Sequence, residues 1–122
     1  MSKNLSTKEN PELKDTVAKL LEISRENNSV FWRDIAKRLM KPKSSYSRTN
    51  VGKIESSTSD GDTVVVAGYV LGSGYMKRKV TVSAIKASPQ AMKKISEGGS
   101  KFVSLVDLAR ENPKGTNLII LR

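Results

Sequence analysis

A chain of 122 residues has room for one core and not for two, and its 37% hydrophobic content falls in periodic clusters that argue against wholesale disorder. Twenty-two Lys and Arg against twelve Asp and Glu leave a formal charge of +10, which points to a polyanionic partner: nucleic acid first, an anionic membrane surface second. There is no cysteine and no histidine, which removes disulfides, thiolate and imidazole chemistry and the usual zinc ligands.

Residues 1–10 are polar and carry no apolar leader, and aliphatic stretches such as Val64 to Ala67 are far too short to span a bilayer. A flexible polar N-terminus (1–10) followed by one cytosolic domain (11–122) is expected. Asn10-Pro11 is a cap followed by a proline at the first helical position, and Leu13, Val17, Leu20 and Leu21 recur at helical spacing, so the first helix should reach about Asn27. Asn28-Ser29 caps a second helix, in which Phe31, Trp32, Ile35, Ala36 and Leu39 share a face until Pro42 stops it.

Lys43 to Asn50 is polar and basic with no apolar period, and reads as a loop. Val51 and Ile54 bracket a short structured piece; a turn cluster, SSTSDGD, then leads into the strand Thr63-Val64-Val65-Val66. Gly68, Gly72 and Gly74 interrupt the next segment, which should not be regular strand throughout. Val80, Val82 and Ala84 alternate with Thr81 and Ser83 in a strand continuing to Ile85. Ser88-Pro89 opens a helix with Ala91, Met92 and Ile95 inward and Lys93 and Lys94 outward, ended by Gly98-Gly99. Phe102-Val103 is extended, Ser104 to Asp107 has the form of a capping box with an Asp in place of the usual Glu or Gln and starts a helix through Leu105, Leu108 and Ala109, and Leu118 to Leu121 is a final buried strand. Two helices followed by alternating strands and helices define an α/β domain.

From Lys37 to Lys53 stand Lys37, Arg38, Lys41, Lys43, Arg48 and Lys53 with no acidic residue between them. Such a run neutralises phosphates and releases condensed counterions, while Ser44, Ser45, Ser47, Thr49 and Asn50 offer neutral donors and Tyr46 a ring on which a base can stack. A solvated surface loop is the alternative. A second candidate is Gly72-Ser73-Gly74 followed by Lys77, Arg78 and Lys79, where glycines let a phosphate or another piece of backbone come close. It matches neither a Walker loop nor a dinucleotide fingerprint, and a glycine-bent corner explains it equally well. Asp60-Gly61-Asp62 lacks further acid ligands and reads as turn chemistry, so no metal is assigned. Phe31 and Trp32 are read as core.

In VFWRDIAKRLMKP (30–42), SRTNVGKI (47–54), TVVVAGYVLGSG (63–74), VTVSAIKAS (80–88), SEGG (96–99) and VSLVDLARENPKGTNLIIL (103–121), the chain resembles the family of the eighteenth large-subunit ribosomal protein of archaea and eukaryotes, itself a relative of the fifteenth large-subunit protein of bacteria. Order and spacing carry the likeness, and stopping at Arg122 without a basic tail looks like the archaeal form. The resemblance implies N-terminal helices followed by irregular strand-strand-helix turns in a single compact α/β domain. It implies a structural role on large-subunit ribosomal RNA among neighbouring ribosomal proteins in the cytoplasm, with no catalysis, cofactor, small-molecule substrate or membrane, and a monomer outside the ribosome. The family's basic segment falls on Lys41 to Lys53, with Arg48 and Asn50 inside it, and its glycine corner on Gly72 and Gly74. The rival readings are a module docking on an acidic protein without RNA, and a phosphate-handling enzyme at Gly72 to Lys79, for which the sequence shows neither acid ligands nor a base.

Overall fold

The computed structural model describes residues 11–121. Residues 1–10, expected to be flexible, lie outside the described residues. Helix α1 (Pro11–Asn27) buries Leu13 and Leu20, and at its end Asn28 takes a left-handed φ of 52° while the Ser29 amide donates to the Ser24 carbonyl at 2.9 Å. That is a Schellman ending with asparagine in the glycine position. Ser29 in turn caps α2 (Val30–Leu39), its hydroxyl accepting from the Trp32 amide, so Asn28 closes one helix and Ser29 opens the next.

Chain order continues with a 3₁₀ turn (Lys43–Ser45), β1 (Ser47–Asn50), α3 (Val51–Ser57), β2 (Thr63–Val66), β3 (Gly68–Leu71), β4 (Thr81–Ala84) and β5 (Lys86–Ala87). It closes with α4 (Pro89–Glu97), β6 (Lys101–Ser104), α5 (Leu105–Glu111) and β7 (Ile119–Leu121). The strands form two parallel sheets, one ordered β6-β4-β2-β7 and the other β1-β3-β5. The chain passes from the first sheet to the second twice, at Ala67 between β2 and β3 and at Ile85 between β4 and β5. The strand expected to continue to Ile85 therefore bends there, and a two-residue strand follows in the other sheet.

Parallel sheets are covered on both faces, and this one is. Val64 and Val66 pack with Val51, Ile54, Ala91 and Ile95 from α3 and α4, whereas Val65 between them packs with Leu20, Trp32, Ile35, Leu105 and Leu108 from α1, α2 and α5. Ser83, on the polar side of the alternation in the sequence, is fully buried with its hydroxyl unpartnered, because helices cover that face too. Trp32 is also fully buried and its Nε1 donates to the Asn112 carbonyl at 2.8 Å, tying α2 to the turn after α5.

Of the caps read from sequence, Asn10 lies outside the described residues, while Ser88 accepts from the Ala91 amide and Ser104 from the Asp107 amide. Two expectations for this half of the chain are corrected. Met92 is 42% exposed rather than inward, and Lys94 is half-buried, donating from Nζ to the carbonyls of Gly72 at 2.6 Å and Gly74 at 2.7 Å. The short α4 covers the sheet with Ala91 and Ile95 alone, and the next position around the helix meets the glycine corner, where only a long donor reaches the free carbonyls.

Candidate nucleic-acid interface

The acid-free segment begins on the last turn of α2, where Lys37 is exposed and Arg38 holds Asp34 through Nε at 3.0 Å. Pro42 turns the chain back, and Tyr46 fastens it: the ring is buried and the hydroxyl donates to the Leu39 carbonyl at 2.6 Å. This satisfies one of the helix-end carbonyls that would otherwise lack a partner. Burial, and secondarily the neighbouring Tyr69, push the Tyr46 phenol above its ordinary value, so it stays a neutral donor at neutral pH. Tyr46 is a core residue with no open face for a base.

Beyond Tyr46 the expected loop is in fact β1, hydrogen-bonded beside β3 with Arg48 opposite Tyr69 and Asn50 opposite Leu71. The segment lacks an apolar period because only Thr49 faces the interior, and Thr49 is polar, its buried hydroxyl without a partner. Asn50 caps α3 by accepting from the Lys53 amide at 2.8 Å, so its side-chain oxygen is already engaged. Lys53 projects from the exposed side of α3.

The structure draws Lys37, Arg38 and Lys41 around a cavity of about 420 Å³ that Ser45 and Ser47 also line, with Asp34 at its rim. Lys43 points into another of about 570 Å³, shared with Tyr69 and Lys86. Arg48 lies on the outer face of the three-stranded sheet, its guanidinium 5.8 Å from the centre of the Tyr69 ring. Tyr69 and Lys86 are neighbours that sequence reading did not connect with this region. Their signal was the period-2 alternation of short strands, which becomes usable only once the pairing of β1, β3 and β5 is known.

The glycine corner has a packing explanation. A Cβ on Gly74, whose φ is +93°, would stand 2.5 Å from Gly52 Cα, and one on Gly72 would meet the Gln90 side chain at 2.7 Å. The corner is therefore clamped between α3 and α4, with Lys94 joining its two carbonyls and the ring of Tyr75, 77% exposed, 5.4 Å from the Lys94 ammonium. The Gly52–Gly74 contact also brings Lys53 and the corner together.

Of the three cations that follow, Lys77 and Lys79 are exposed, but Arg78 turns inward and donates from its guanidinium to the carbonyls of Glu55 and Thr58. Asp62 accepts from the Ser59 amide within the turn, as turn chemistry requires, and Asp60 accepts from the Lys79 amide, tying the turn to the segment before β4. Among the described residues no cluster of acidic side chains could hold a metal ion.

Glu55 anchors this loop, its Oε1 accepting from the Lys77 and Arg78 amides at 2.9 Å each. These bonds, that from Arg78 foremost, hold the carboxyl below its ordinary 4.5. A folded-state value below the unfolded one means the anchorage is complete above the unfolded value and is lost as pH falls through the folded one. Protection of the Lys77 and Arg78 amides from hydrogen exchange is therefore expected to decay below about pH 4, whereas Glu55→Gln should show weaker protection with no such acid limb. Identical pH profiles for the two proteins would remove Glu55 from this role.

A parallel α/β domain with helices on both faces and cations gathered on its polar surface has the build of a basic structural protein. A family model described as "Ribosomal protein 60S L18 and 50S L18e" matches residues 2–122. The large ribosomal subunit protein eL18 of Picrophilus torridus is 52% identical over 122 residues, covering all of both chains. Its counterpart in Thermoplasma acidophilum is 44% identical over 98% of this chain and 99% of the relative, and that of Halobacterium salinarum 36% identical over 95% and 99%. The chain belongs to this ribosomal protein family and is a structural, non-enzymatic constituent of the large ribosomal subunit. Among the described residues no helix is long and apolar enough to cross a membrane.

Proposed function

We propose that this chain binds large-subunit ribosomal RNA directly, through the surface that carries Lys37, Arg38, Lys41, Lys43, Arg48 and Lys53, and does so chiefly by phosphate and sugar contacts. One observation carries the reading: the acid-free segment is held to the end of α2 by buried Tyr46, so its cations stand on a fixed scaffold rather than on a floppy loop. Fixed cations lose less side-chain and backbone freedom on binding than mobile ones. Lys77 and Lys79 extend the basic surface beyond the glycine corner, while Arg78, Tyr46, Gly72 and Gly74 serve the fold.

Neighbouring ribosomal proteins complete the partner set. The chain is a monomer outside the subunit and needs no cofactor or small molecule. We also infer a kinship with the fifteenth large-subunit protein of bacteria, which the family resemblance of the sequence implies.

The test is sedimentation of a lysate of the native source through sucrose, with and without RNase, probing for this chain. Comigration with large subunits that RNase abolishes is the expected result. If RNase leaves the association intact, or the chain stays at the top of both gradients, an acidic protein partner replaces RNA as the ligand.

A further inference from the structure

We propose that Tyr69 and Lys86, neither of them in the acid-free segment, complete with Arg48 a platform on which an unpaired RNA base stacks. The inference rests on the RNA-binding reading above and adds to it a residue-level device for gripping single-stranded RNA. Register puts the three side by side across the sheet, Arg48 paired with Tyr69 and Tyr69 with Lys86. The next residue on each strand, Thr49, Val70 and Ala87, is buried, so by the alternation of strands the trio shares the outer face.

That face is built for a planar anion-bearing ligand. The Arg48 guanidinium lies over the Tyr69 ring, 5.8 Å from its centre, which makes a layered π surface. Two cavities, of about 570 and 220 Å³, both have Tyr69 and Lys86 in their walls. Among the described residues their linings hold Lys43, Arg48 and Lys86 and no carboxylate. An aromatic ring among three cations with no acidic partner among the described residues is poor use of surface in an isolated protein, because their mutual repulsion is not offset there. It suits a nucleotide, whose base takes the stack and whose phosphates take the lysines. An acidic protein would use the cations and leave the ring idle.

The experiment measures binding of the full chain to an unstructured adenine-rich RNA oligonucleotide, and to the same oligonucleotide made abasic, by fluorescence anisotropy over a salt series. Tyr69→Leu should weaken binding to the intact oligonucleotide by about ten- to a hundredfold with an unchanged salt slope, and Tyr69→Trp should restore it. Arg48→Lys should weaken it despite keeping the charge, because the plane is lost. Lys86→Gln should instead make the slope shallower by roughly one unit. On abasic RNA, Tyr69→Leu and the unmodified chain should bind alike.

If Tyr69→Leu, shown by circular dichroism to be folded, binds the intact oligonucleotide as the unmodified chain does, the platform is overturned while RNA binding stands. If it loses equally on abasic RNA, or loses binding to polyglutamate to the same degree, the ring is a packing element of a general anion surface and the platform is likewise overturned. If the unmodified chain binds neither the oligonucleotide nor large-subunit ribosomal RNA, the RNA-binding reading itself falls.

Discussion

Gly68→Ala is expected to destabilise the protein by on the order of 3 kcal/mol, lowering its melting temperature by roughly 10 °C in a thermal scan followed by circular dichroism. The reason is space rather than backbone conformation. Gly68 opens β3 opposite Ser47, and a Cβ there would stand 2.8 Å from the Ser47 nitrogen and still deeper inside the contact distance of its carbonyl oxygen. Both are backbone atoms held in the ladder by the Ser47 amide, which donates to Ala67 at 3.1 Å, so neither can rotate away. The methyl must push β1 off β3. Because β1 carries Arg48 and runs straight into α3, the same change should loosen the basic surface and lower RNA affinity with it. Gly61 is the matched control: its φ is +90° but a Cβ would meet nothing within 4 Å, so Gly61→Ala should cost only the left-handed strain, about 1 kcal/mol. Equal melting temperatures for the two variants would show that β1 is not packed on β3 as described.

The contrast between those glycines marks where sequence reading stops. Local chemistry was legible: Ser29, Ser88 and Ser104 each cap the helix they precede, and the Val64–Val66 run is a strand buried on both faces. What was not legible depends on partners far along the chain. Ser47 to Asn50 is a strand only because β3, some twenty residues later, supplies its hydrogen bonds, and nothing in its own polarity announces that. Ile85 reads as the end of the same strand yet marks a change of sheet, because Gly68 O takes its amide at the same bend where β2 gives way to β3. The basic site was half legible for the same reason. Charge is a property of residue type, and the run from Lys37 to Lys53 is plain in the sequence. Direction is a property of the fold, and it sends Tyr46 into the core, turns Arg78 toward Glu55 and aligns Tyr69 and Lys86 with Arg48.

Direction also sets the largest functional effect expected. Replacing Lys37, Lys41 and Lys43 together with Gln lowers the formal charge from +10 to +7, since each substitution removes one unit. All three are exposed, Lys37 and Lys41 lining one cavity and Lys43 the other, and their replacement removes no buried contact, so stability should be almost untouched. If each lysine neutralises one phosphate, the slope of log affinity against log salt should become shallower by about 2 to 3 units. The same relation makes each contact worth nearly tenfold at about 0.1 M salt, so the triple variant should bind large-subunit ribosomal RNA some hundredfold or more weakly. Net charge alone predicts something different. Lys93, Lys101 and Lys114 are equally exposed but sit on α4, on β6 and after α5, and changing those three to Gln gives the same +7. A general electrostatic attraction would make the two triple variants equivalent. A positioned surface makes the first weak and leaves the second close to the unmodified chain in both affinity and slope, because counterion release counts only the phosphates that a cation meets. Filter binding over a salt series decides between them, and equal losses in the two variants would detach RNA recognition from the segment that Tyr46 fastens.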